Sequence, residues 1–360
     1  MPDQTKQYVD AIFADAVGRN ASDIHLSVGM QPVLRINANL TITDAPPIDQ
    51  ELMLKDIQSK IKPEAYEIFM TRHDVDFSYA LPNNDRFRIS LYWKMGKPAL
   101  AARPIPSHIP TLEELDAPEA VHDFINLQNG IVLVTGPTGA GKSTLLASMI
   151  EQINQNKSKH IITLEDPIEF IYQSNKCLVS QRELGTDFAS FSDGLKHVFR
   201  QDPDIVLIGE MRDPDTMITA LTLAETGHLI FATLHTNDAV STVERIINSF
   251  PGDLQAQVRL QLSLVLRGVI AQLLLPTLDG RLVAVREVMV SNTAVANLIR
   301  EGKTEQIQNV ILTSAAEKMI DLDKDLEAFV GSGVISYETA KEFARNKQRF
   351  NAGSASKQQP

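Results

Sequence analysis

The feature that most constrains the fold is a glycine-rich octapeptide, Gly-Pro-Thr-Gly-Ala-Gly-Lys-Ser, at residues 136–143. An apolar run, Ile131–Thr135, precedes it, and a helix-forming run, Thr144–Ile150, follows it. This order of strand, glycine loop and helix is the one that a phosphate-binding P-loop requires. The glycines let successive backbone N–H groups turn inward at the positive end of the helix. The stretch therefore predicts a nucleoside triphosphate site within an α/β domain.

We assign nine consecutive residues of this loop to the phosphate groups. They are Gly136, Pro137, Thr138, Gly139, Ala140, Gly141, Lys142, Ser143 and Thr144. Lys142 is expected to reach the β- and γ-phosphates, and the Ser143 hydroxyl is expected to bind Mg²⁺, because these are the roles of the two residue types in such a loop.

The composition narrows the function classes. The chain has 360 residues, enough for two or three domains, and a formal net charge of −11. An acidic balance weighs against a general nucleic-acid surface, although an acidic ring can carry a basic channel. Cys177 is the only cysteine. Intrachain disulfides and cysteine-rich zinc sites are therefore excluded, and we expect Cys177 to be a small buried residue.

The sequence shows neither a signal-peptide pattern nor a membrane-spanning run, and we therefore expect a cytoplasmic protein. The amino terminus lacks the basic and apolar regions of a signal peptide. No apolar run approaches the roughly 20 residues that span a bilayer. We therefore expect any association with a membrane to come through a partner.

The first part of the chain predicts a small α+β domain with an antiparallel sheet, over residues 1–103. Helices are expected over residues 5–19, 48–60 and 63–72, and strands over 21–27, 32–37, 74–79, 86–92 and 98–103. Three prolines within seven residues, Pro104, Pro106 and Pro110, then predict an extended linker over residues 104–116. Thr111–Glu114 has the pattern of a capping box, which predicts the start of a helix.

The second part, residues 117–348, predicts a parallel sheet covered by helices, because strand-like and helix-like segments alternate to about residue 290. Four near-continuous apolar runs are the expected strands: Ile131–Thr135, His160–Leu164, Ile205–Ile208 and Leu229–Leu234. We expect one long helix over 253–275 and a last helical region over 292–347. Residues 349–360 are expected to be a disordered tail.

Acidic residues follow two of the predicted strands. Glu210 is expected to orient and activate the attacking water, since parallel strands deliver their carboxyl ends to the ligand edge of the sheet, beside the P-loop. Gly209 stands where a usual Walker B strand has an aspartate. Glu165, Asp166 and Glu169 follow the other strand and are candidate site residues. The residues expected at the Mg²⁺ ion are Ser143, Asp166 and Glu210. Acids that are merely solvated at a strand end would give the same pattern.

Two histidines flank the strand Leu229–Leu234. His235 at its carboxyl end and His228 before it are candidate sensors of the γ-phosphate, because a neutral imidazole can donate to a phosphate oxygen. An isolated histidine is more often a structural residue.

Three arginines of the first domain are candidates for a different role. Arg86 and Arg88 point to one face of their strand by its period of two, and Arg103 lies on a later strand. An arginine supplied by a neighbour accelerates phosphoryl transfer greatly. Solvated cations on an exposed strand would look the same.

Five segments occur in an order that resembles the PilT family of type IV pilus retraction ATPases, within the wider secretion ATPase superfamily. They are Ala21–Leu26, the P-loop, Leu164–Phe170 (similar to an Asp box), Gly209–Asp213 (similar to a Walker B segment) and Thr226–Thr236 (similar to a His box). The likeness continues to about residue 348. The absence of a four-cysteine metal module fits retraction better than the extension and secretion relatives.

The resemblance implies a PAS-like first domain, a RecA-like second domain with C-terminal helices, and a homohexameric ring with ATP between its subunits. It implies that Glu210 is the catalytic base and that Arg86, Arg88 and Arg103 reach across the subunit interface. It also implies an inner-membrane pilus platform protein as partner, and no nucleic acid.

Other functions stay open. Ala296 stands where the family has an arginine, and Lys196 stands where an arginine is common. These departures leave open, as an alternative to the retraction motor itself, an accessory retraction ATPase of the PilU kind, acting beside a paralogous retraction ATPase. A nucleotide-binding regulatory ring without motor activity is a further alternative, and a nucleic-acid motor is disfavoured by the acidic balance.

Overall fold

The chain divides between His108 and Ile109 into two units. The structure is a computed structural model, and it describes residues 8–36, 39–83, 85–105 and 108–350. Within these residues, no helix is both long and apolar enough to cross a membrane.

The first unit combines three helices with a six-stranded sheet, counted over the residues that the structure describes. In chain order it contains α1 (Tyr8–Gly18), β1 (Asp23–Ser27), β2 (Val33–Ile36), β3 (Asn39–Ile42), α2 (Gln50–Lys60), α3 (Pro63–Arg72), β4 (Asp74–Ala80), β5 (Arg86–Lys94) and β6 (Lys97–Ile105). The strand order is β3-β2-β1-β6-β5-β4, and each neighbouring pair is antiparallel. The expected α+β architecture is therefore present. The sequence prediction missed β3, a short strand whose four residues are all exposed.

The core of the first unit lies on one face of β5. Phe87, Ile89 and Leu91 are buried there, and the Phe87 ring stacks on Phe13 of α1 with centroids 4.4 Å apart. Residues between them in the strand point to the opposite face, as the period of two requires. This alternation puts Arg86 and Arg88 on the face away from the core.

The predicted linker starts too early. Pro104 and Ile105 still belong to β6, where they pair with Phe87 and Arg86. Proline is tolerated there because β1 pairs with β6 only as far as Ala102, so the chain beyond is a local sheet edge. Pro106 lies outside the described residues.

The capping box does not start a helix. The Thr111 N–H donates to Glu114 Oε2 at 2.8 Å, and the Glu114 N–H donates to Thr111 Oγ1 at 3.2 Å, so the capping hydrogen bonds do form. However, Asp116 takes a left-handed backbone conformation, with φ of 45°, and the first helix of the second unit begins only at Glu119. A left-handed residue interrupts a right-handed helix.

The second unit is built on a seven-stranded sheet covered by helices. Its elements are α4 (Glu119–Phe124), β7 (Gly130–Thr135), α5 (Lys142–Asn156), β8 (His160–Glu165), β9 (Leu178–Glu183), α6 (Phe191–Val198), β10 (Ile205–Ile208), α7 (Pro214–Glu225), β11 (Leu229–Leu234), α8 (Ala239–Asn248), α9 (Gln255–Val265), β12 (Leu266–Pro276), β13 (Leu282–Val290), α10 (Thr293–Glu301), α11 (Ile307–Thr313), α12 (Leu322–Gly331) and α13 (Tyr337–Phe343). The strand order is β13-β12-β7-β11-β10-β8-β9, and only the β12–β13 pair is antiparallel.

The four expected parallel strands are present, and each is buried on both faces. In β7, Ile131 and Leu133 belong to one hydrophobic cluster, whereas Val132 and Val134 belong to the other. A strand whose two faces pack into two hydrophobic cores has a continuous apolar sequence, and for this reason the sequence predicted these four strands.

The long helix expected over 253–275 is wrong. Helix α9 ends at Val265, and Leu266 begins β12, which pairs with β7 and with β13. The sequence misled because a strand buried on both faces carries no alternation, so an apolar run of this kind cannot be told from a buried helix. Strands β9 and β13 were not predicted either.

The C-terminal helical region was expected over 292–347, and it contains α10 to α13 with short 3-10 turns. The tail was expected to start at residue 349, but Phe350 is buried against a cluster that includes Leu326 of α12. Arg349 pairs with Glu327 at 2.8 Å. Residues 351–360 lie outside the described residues.

Substitution of Gly268 tests the packing of β12. A Cβ atom at this position would lie 2.1 Å from Cζ of the Phe124 ring in α4. We expect Gly268→Ala to lower the free energy of unfolding by about 1–3 kcal/mol, because the ring has to shift in a filled core. The measurement is chemical denaturation of the full chain.

Gly331→Ala in α12 is the matched control, since the described residues leave open space around its Cβ. Phe124→Leu should relieve the overlap, so the double variant should lose less stability than the sum of the two single variants. A Gly268→Ala protein as stable as the control would contradict this packing.

Candidate active site

The carboxyl ends of the parallel strands gather the predicted site at one edge of the sheet. Strand β7 leads into the P-loop, β11 into His235, β10 into Glu210 and β8 into the segment of Glu165. The order β7-β11-β10-β8 places the strand of His235 between the P-loop and Glu210. The strands that lead to the P-loop and to Glu210 are therefore not neighbours in the sheet. The two are about 10 Å apart, because one strand intervenes.

The P-loop turns on glycines in conformations that other residues rarely adopt. Gly136 has φ of 141°, and a Cβ there would lie 2.2 Å from the carbonyl oxygen of Gln272. Gly141 has φ of 78° and precedes α5, which begins at Lys142. Ser143 and Thr144 are half-buried in the first turn of that helix. The loop thus ends at the positive end of a helix, as an anion site requires.

Lys142 is held inside the loop. Its ammonium donates to the carbonyl oxygens of Gly136, at 2.8 Å, and of Pro137, at 3.0 Å. Burial lowers the pKa of Lys142, and the negative charges of Glu210 and Glu169 oppose that shift. Lys142 and Glu210 therefore attract each other electrostatically, although the two residues follow different strands.

Glu210 is a partly buried carboxylate with two polar partners. It accepts a hydrogen bond from Arg212 at 2.8 Å, and His235 Nε2 lies 3.4 Å from it. Burial favours the neutral acid, but the hydrogen bond and charge of Arg212, together with His235, outweigh it, so the pKa of Glu210 is lowered. Because the shift is downward, Glu210 is ionised at neutral pH, and this contact is lost only as the pH falls through the lowered pKa.

The missing Walker B aspartate has a structural reason. A Cβ atom on Gly209 would lie 3.1 Å from the carbonyl oxygen of Leu164 and 3.2 Å from Cα of Glu165. The Gly209 N–H donates to that same Leu164 oxygen at 2.7 Å. A side chain at residue 209 would therefore require the main chains after β10 and β8 to move apart by a few tenths of an ångström. Thr233 of β11 bonds both neighbours of Glu210, accepting from the Met211 N–H at 3.1 Å and donating to the Gly209 oxygen.

The acids that follow β8 have different environments. Glu165 is only 8% exposed and accepts hydrogen bonds from the Thr163 hydroxyl at 2.6 Å and from Gln181 at 3.2 Å. Burial raises its pKa, and these hydrogen bonds oppose the shift. Its carboxylate thus bonds β8, β9 and, through the Glu169 N–H at 3.4 Å, the loop after β8. Asp166 is more exposed and lies 3.8 Å from Arg212.

Arg212 is the residue that sequence reasoning missed. Its guanidinium is 62% exposed and lies against both Glu210 and Asp166, so it joins the acids of two strands. The available signal was a basic residue between acids in Gly209–Asp213.

His228 does not join this cluster. It precedes β11, and its carbonyl oxygen accepts from the Gly130 N–H at 3.0 Å, where β7 begins. A six-residue strand spans about 20 Å, so His228 lies at the opposite edge of the sheet from the P-loop of its own chain. Its Nδ1 contacts the carbonyl oxygen of Leu223 at 2.9 Å. Of the two histidines expected at the phosphate, only His235 lies at the edge of the sheet that carries the P-loop of the same chain.

The three arginines of the first unit share one sheet face. Arg88 lies directly opposite Arg103 in the β5–β6 pair, and Arg86 lies two residues along β5. Arg103 is 70% exposed and donates to Asp23 of β1 at 2.7 Å. Burial opposes ionisation of Asp23, but Arg103, Ser22 and Arg35 lower its pKa overall. Asp23 thus holds Arg103 on this face.

The oxygen atoms at this site fit a Mg²⁺ ion that is held mainly by the phosphates of a nucleotide. In the described ranges, no three His, Cys, Asp or Glu side chains cluster as a metal site of the protein's own. Magnesium prefers hard oxygens and usually takes one or two protein ligands beside phosphates and water. Ser143 would hold the ion directly, and Asp166 and Glu210 would act on its water shell.

This fold and this edge define a P-loop ATPase. The family model described as Type II/IV secretion system protein matches residues 3–330, and the chain belongs to this family. The chain is 41% identical, over 345 residues, to the type IV pilus retractation ATPase PilT of Pseudomonas aeruginosa, covering 95% of this chain and 99% of that one. It is 38% identical, over 325 residues, to the type IV pilus ATPase PilU of the same organism, covering 90% and 85%.

A solved structure extends the similarity to three dimensions. The crystal structure of the pilus retraction motor PilT with bound ADP superposes with a TM-score of 0.88 at 41% identity, covering 94% of this chain and 97% of that one. The agreement spans the α/β unit with its mostly parallel sheet and the antiparallel unit before it.

Substitution of Gly209 tests the close approach of β10 and β8. We expect Gly209→Asp to lower kcat for ATP hydrolysis by at least about tenfold, because the new side chain displaces the Glu210 main chain. A steady-state phosphate-release assay measures it.

Gly252→Asp is the control, since a Cβ at residue 252 meets no atom of the described chain within 4 Å. Wild-type or faster turnover in Gly209→Asp would mean that the site has room for a Walker B aspartate after all.

Proposed function

We propose that this ATPase is a Mg²⁺-dependent motor that retracts type IV pili, and so powers twitching motility. One observation carries the proposal: the 41% identity to PilT runs over 95% of the chain, so it includes both units and every motif of the site. The motor converts ATP hydrolysis into movement of its domains.

The proposed chemistry uses four segments of the sheet edge. The amides of residues 136–144 bind the phosphates, with Lys142 on the β- and γ-phosphates. When bound beside Ser143, Mg²⁺ neutralises charge on the phosphate oxygens. Glu210, which is ionised, accepts a proton from the attacking water and orients it. His235 stands between the loop and Glu210 and donates to a γ-phosphate oxygen. Glu165 shapes the loop after β8 and does not itself act on the water.

Arg212 has a specific part in this scheme. It neutralises Glu210 and Asp166 while the phosphate site is empty. A γ-phosphate carries more charge than either carboxylate, so a bound triphosphate competes for the guanidinium. Transfer of Arg212 to the phosphate would free Glu210 to bind water.

The arginines of the first unit complete the site in a homohexamer. We propose that Arg86, Arg88 and Arg103 of one subunit serve the phosphates bound to the next subunit. Their common face, directed away from the core of their own unit, supports this role. Closure of the interface would then couple hydrolysis in one subunit to the position of its neighbour.

The remaining partners follow from the same proposal. The ring acts at the cytoplasmic face of the inner membrane, where a pilus platform protein receives the rotation and releases pilins from the fibre base. An accessory role beside a paralogous retraction ATPase is the second candidate. The 38% identity to PilU and the alanine at position 296 favour it.

Replacement of Glu210 tests the motor. We expect Glu210→Gln to lower kcat by about 10²- to 10⁴-fold, because the base is lost. The affinity for ATP should stay within about threefold, since a neutral amide keeps the shape of the site. Phosphate release and binding of a fluorescent ATP analogue measure the two quantities. In a strain that lacks this gene, the variant should fail to restore pilus retraction.

Glu225→Gln at the far end of α7 is the matched control and should behave as wild type. Unchanged hydrolysis in Glu210→Gln would remove Glu210 from its role. A deletion strain that still retracts its pili, and slows only under load or without a second ATPase, would instead support the accessory function.

Mixing of variants tests the shared site. Arg103→Ala should lower kcat with little change in ATP affinity, and Lys142→Ala should abolish binding. In mixed rings, the first variant supplies an intact P-loop and the second supplies Arg103, so part of the activity should return. The phosphate-release rate of the mixture, compared with the mean of the two separate proteins, measures the effect.

Mixing Lys142→Ala with Glu210→Gln is the control. Both changes lie on the P-loop side of an interface, so no combination of neighbours restores a complete site. Recovery in the control, or none in the test mixture, would contradict a site completed by Arg103.

A further inference from the structure

Gln272 of β12 lies against the P-loop at two of its residues, Gly136 and Ala140. A Cβ atom on Gly136 would lie only 2.2 Å from the main-chain carbonyl oxygen of Gln272. Its side-chain Nε2 donates to the carbonyl oxygen of Ala140 at 2.6 Å. Gln272 is only 3% exposed, so water does not compete for these contacts. The loop is therefore held on the side that faces β12.

Arg286 of β13 determines which way the Gln272 amide points. The two residues are cross-strand partners, and Arg286 Nε donates to Gln272 Oε1 at 2.8 Å. An arginine offers only donors, so the oxygen of the amide must face it. The NH₂ group of Gln272 is then left to face Ala140. The arginine thereby makes Gln272 a donor to the loop.

The same arginine is anchored at its other nitrogens. Nη1 donates to the carbonyl oxygen of Asp116 at 2.9 Å, and Nη2 donates to that of Leu115 at 2.9 Å. The Arg286 main-chain N–H donates to Asp325 of α12 at 2.8 Å. Arg286 is 4% exposed, and burial lowers its pKa against the opposing charges of Asp325 and Asp116. A buried guanidinium with a hydrogen bond at each of its three nitrogens holds its partners in fixed positions.

The bond to Ala140 has a direct consequence for phosphate binding. In a planar trans peptide, the C=O and the following N–H point in opposite directions. Because the Ala140 carbonyl is turned toward β12, the Gly141 N–H is directed away from β12. That amide belongs to the stretch that cradles phosphate oxygens. Loss of the bond would let this peptide rotate and withdraw one donor.

We propose that Gln272 and Arg286 are positioning residues of the phosphate site, acting through the Ala140–Gly141 peptide. The inference rests on the proposed assignment of residues 136–144 to the phosphates. It deepens that assignment by extending the site to β12, β13 and residues 115–116, which lie near the start of the second unit. Neither residue touches the nucleotide.

The selective variant is Gln272→Glu. A carboxylate of nearly the same shape still accepts from Arg286, but it cannot donate to the Ala140 oxygen. We expect the affinity for a fluorescent ADP analogue with Mg²⁺ to fall about tenfold, the equivalent of about 1.4 kcal/mol and of one buried hydrogen bond. The melting temperature should stay close to that of wild type, because the carboxylate gains the charge of Arg286. A merely structural residue would change both quantities together.

Asn154→Asp is the matched control. Asn154 is fully buried at the far end of α5, where its amide donates to the carbonyl oxygen of Gln173 at 2.8 Å. The same change from amide to carboxylate there should leave nucleotide affinity unchanged. If Gln272→Glu does not fold, Gln272→Met removes the same donor without a buried charge, and should weaken binding by a similar factor.

Lys142→Ala separates the two levels of the proposal. If this variant binds the ADP analogue as tightly as wild type, the phosphate assignment fails, and the inference fails with it. If Lys142→Ala loses binding while the folded Gln272 variants bind as wild type, only the positioning role is overturned. Weakened binding in Gln272→Glu, with unchanged binding in Asn154→Asp, supports it.

Discussion

Main-chain hydrogen bonding between parallel strands is the constraint on which the site depends. The ladder from β7 through β11 and β10 to β8 runs in register, for example with Ile205 beside both Leu229 and Ile161. Register fixes where each strand ends, so segments that are far apart in the chain emerge at one edge. His235 therefore stands between the P-loop and Glu210, and Arg212 can join the acids that follow two neighbouring strands.

The second constraint comes from the strands on the other side of β7. Two adjacent residues of β13 are buried charges that point to opposite faces of the sheet. Arg286 bonds Gln272 behind the P-loop, whereas Glu287 accepts from the Ala239 N–H at 2.9 Å, at the start of the helix that follows His235. Glu287 is also paired with Arg345, beyond α13. The edge strand β13 thus contacts α12 and the start of α8 directly, and it reaches the P-loop through Gln272.

Electrostatics gives the acids of the edge different properties although their residue types are alike. Glu210 lies beside Arg212 and His235 and has a lowered pKa, while Glu165 is buried among neutral donors and has a raised pKa. Lys142 is buried as well, which lowers its pKa against the pull of Glu210. Glu210 is therefore ionised and able to accept hydrogen bonds at the sheet edge, whereas the Glu165 carboxylate is enclosed by its hydrogen bonds to Thr163 and Gln181.

Local patterns were enough to predict the P-loop between its strand and helix, the four central strands, and the position of Glu210 after an apolar strand, because each is encoded by neighbours in the chain. Spacing of glycines around Lys142 and continuous apolar runs need no distant partner to be recognised. The strand β12, the inward use of Glu165, the remote place of His228 and the crowding at Gly209 depend on which segments lie side by side. Gln272 and Arg286 carry no motif at all. Their contacts exist only because β12 and β13 pair behind the loop, and only the tertiary structure decided that.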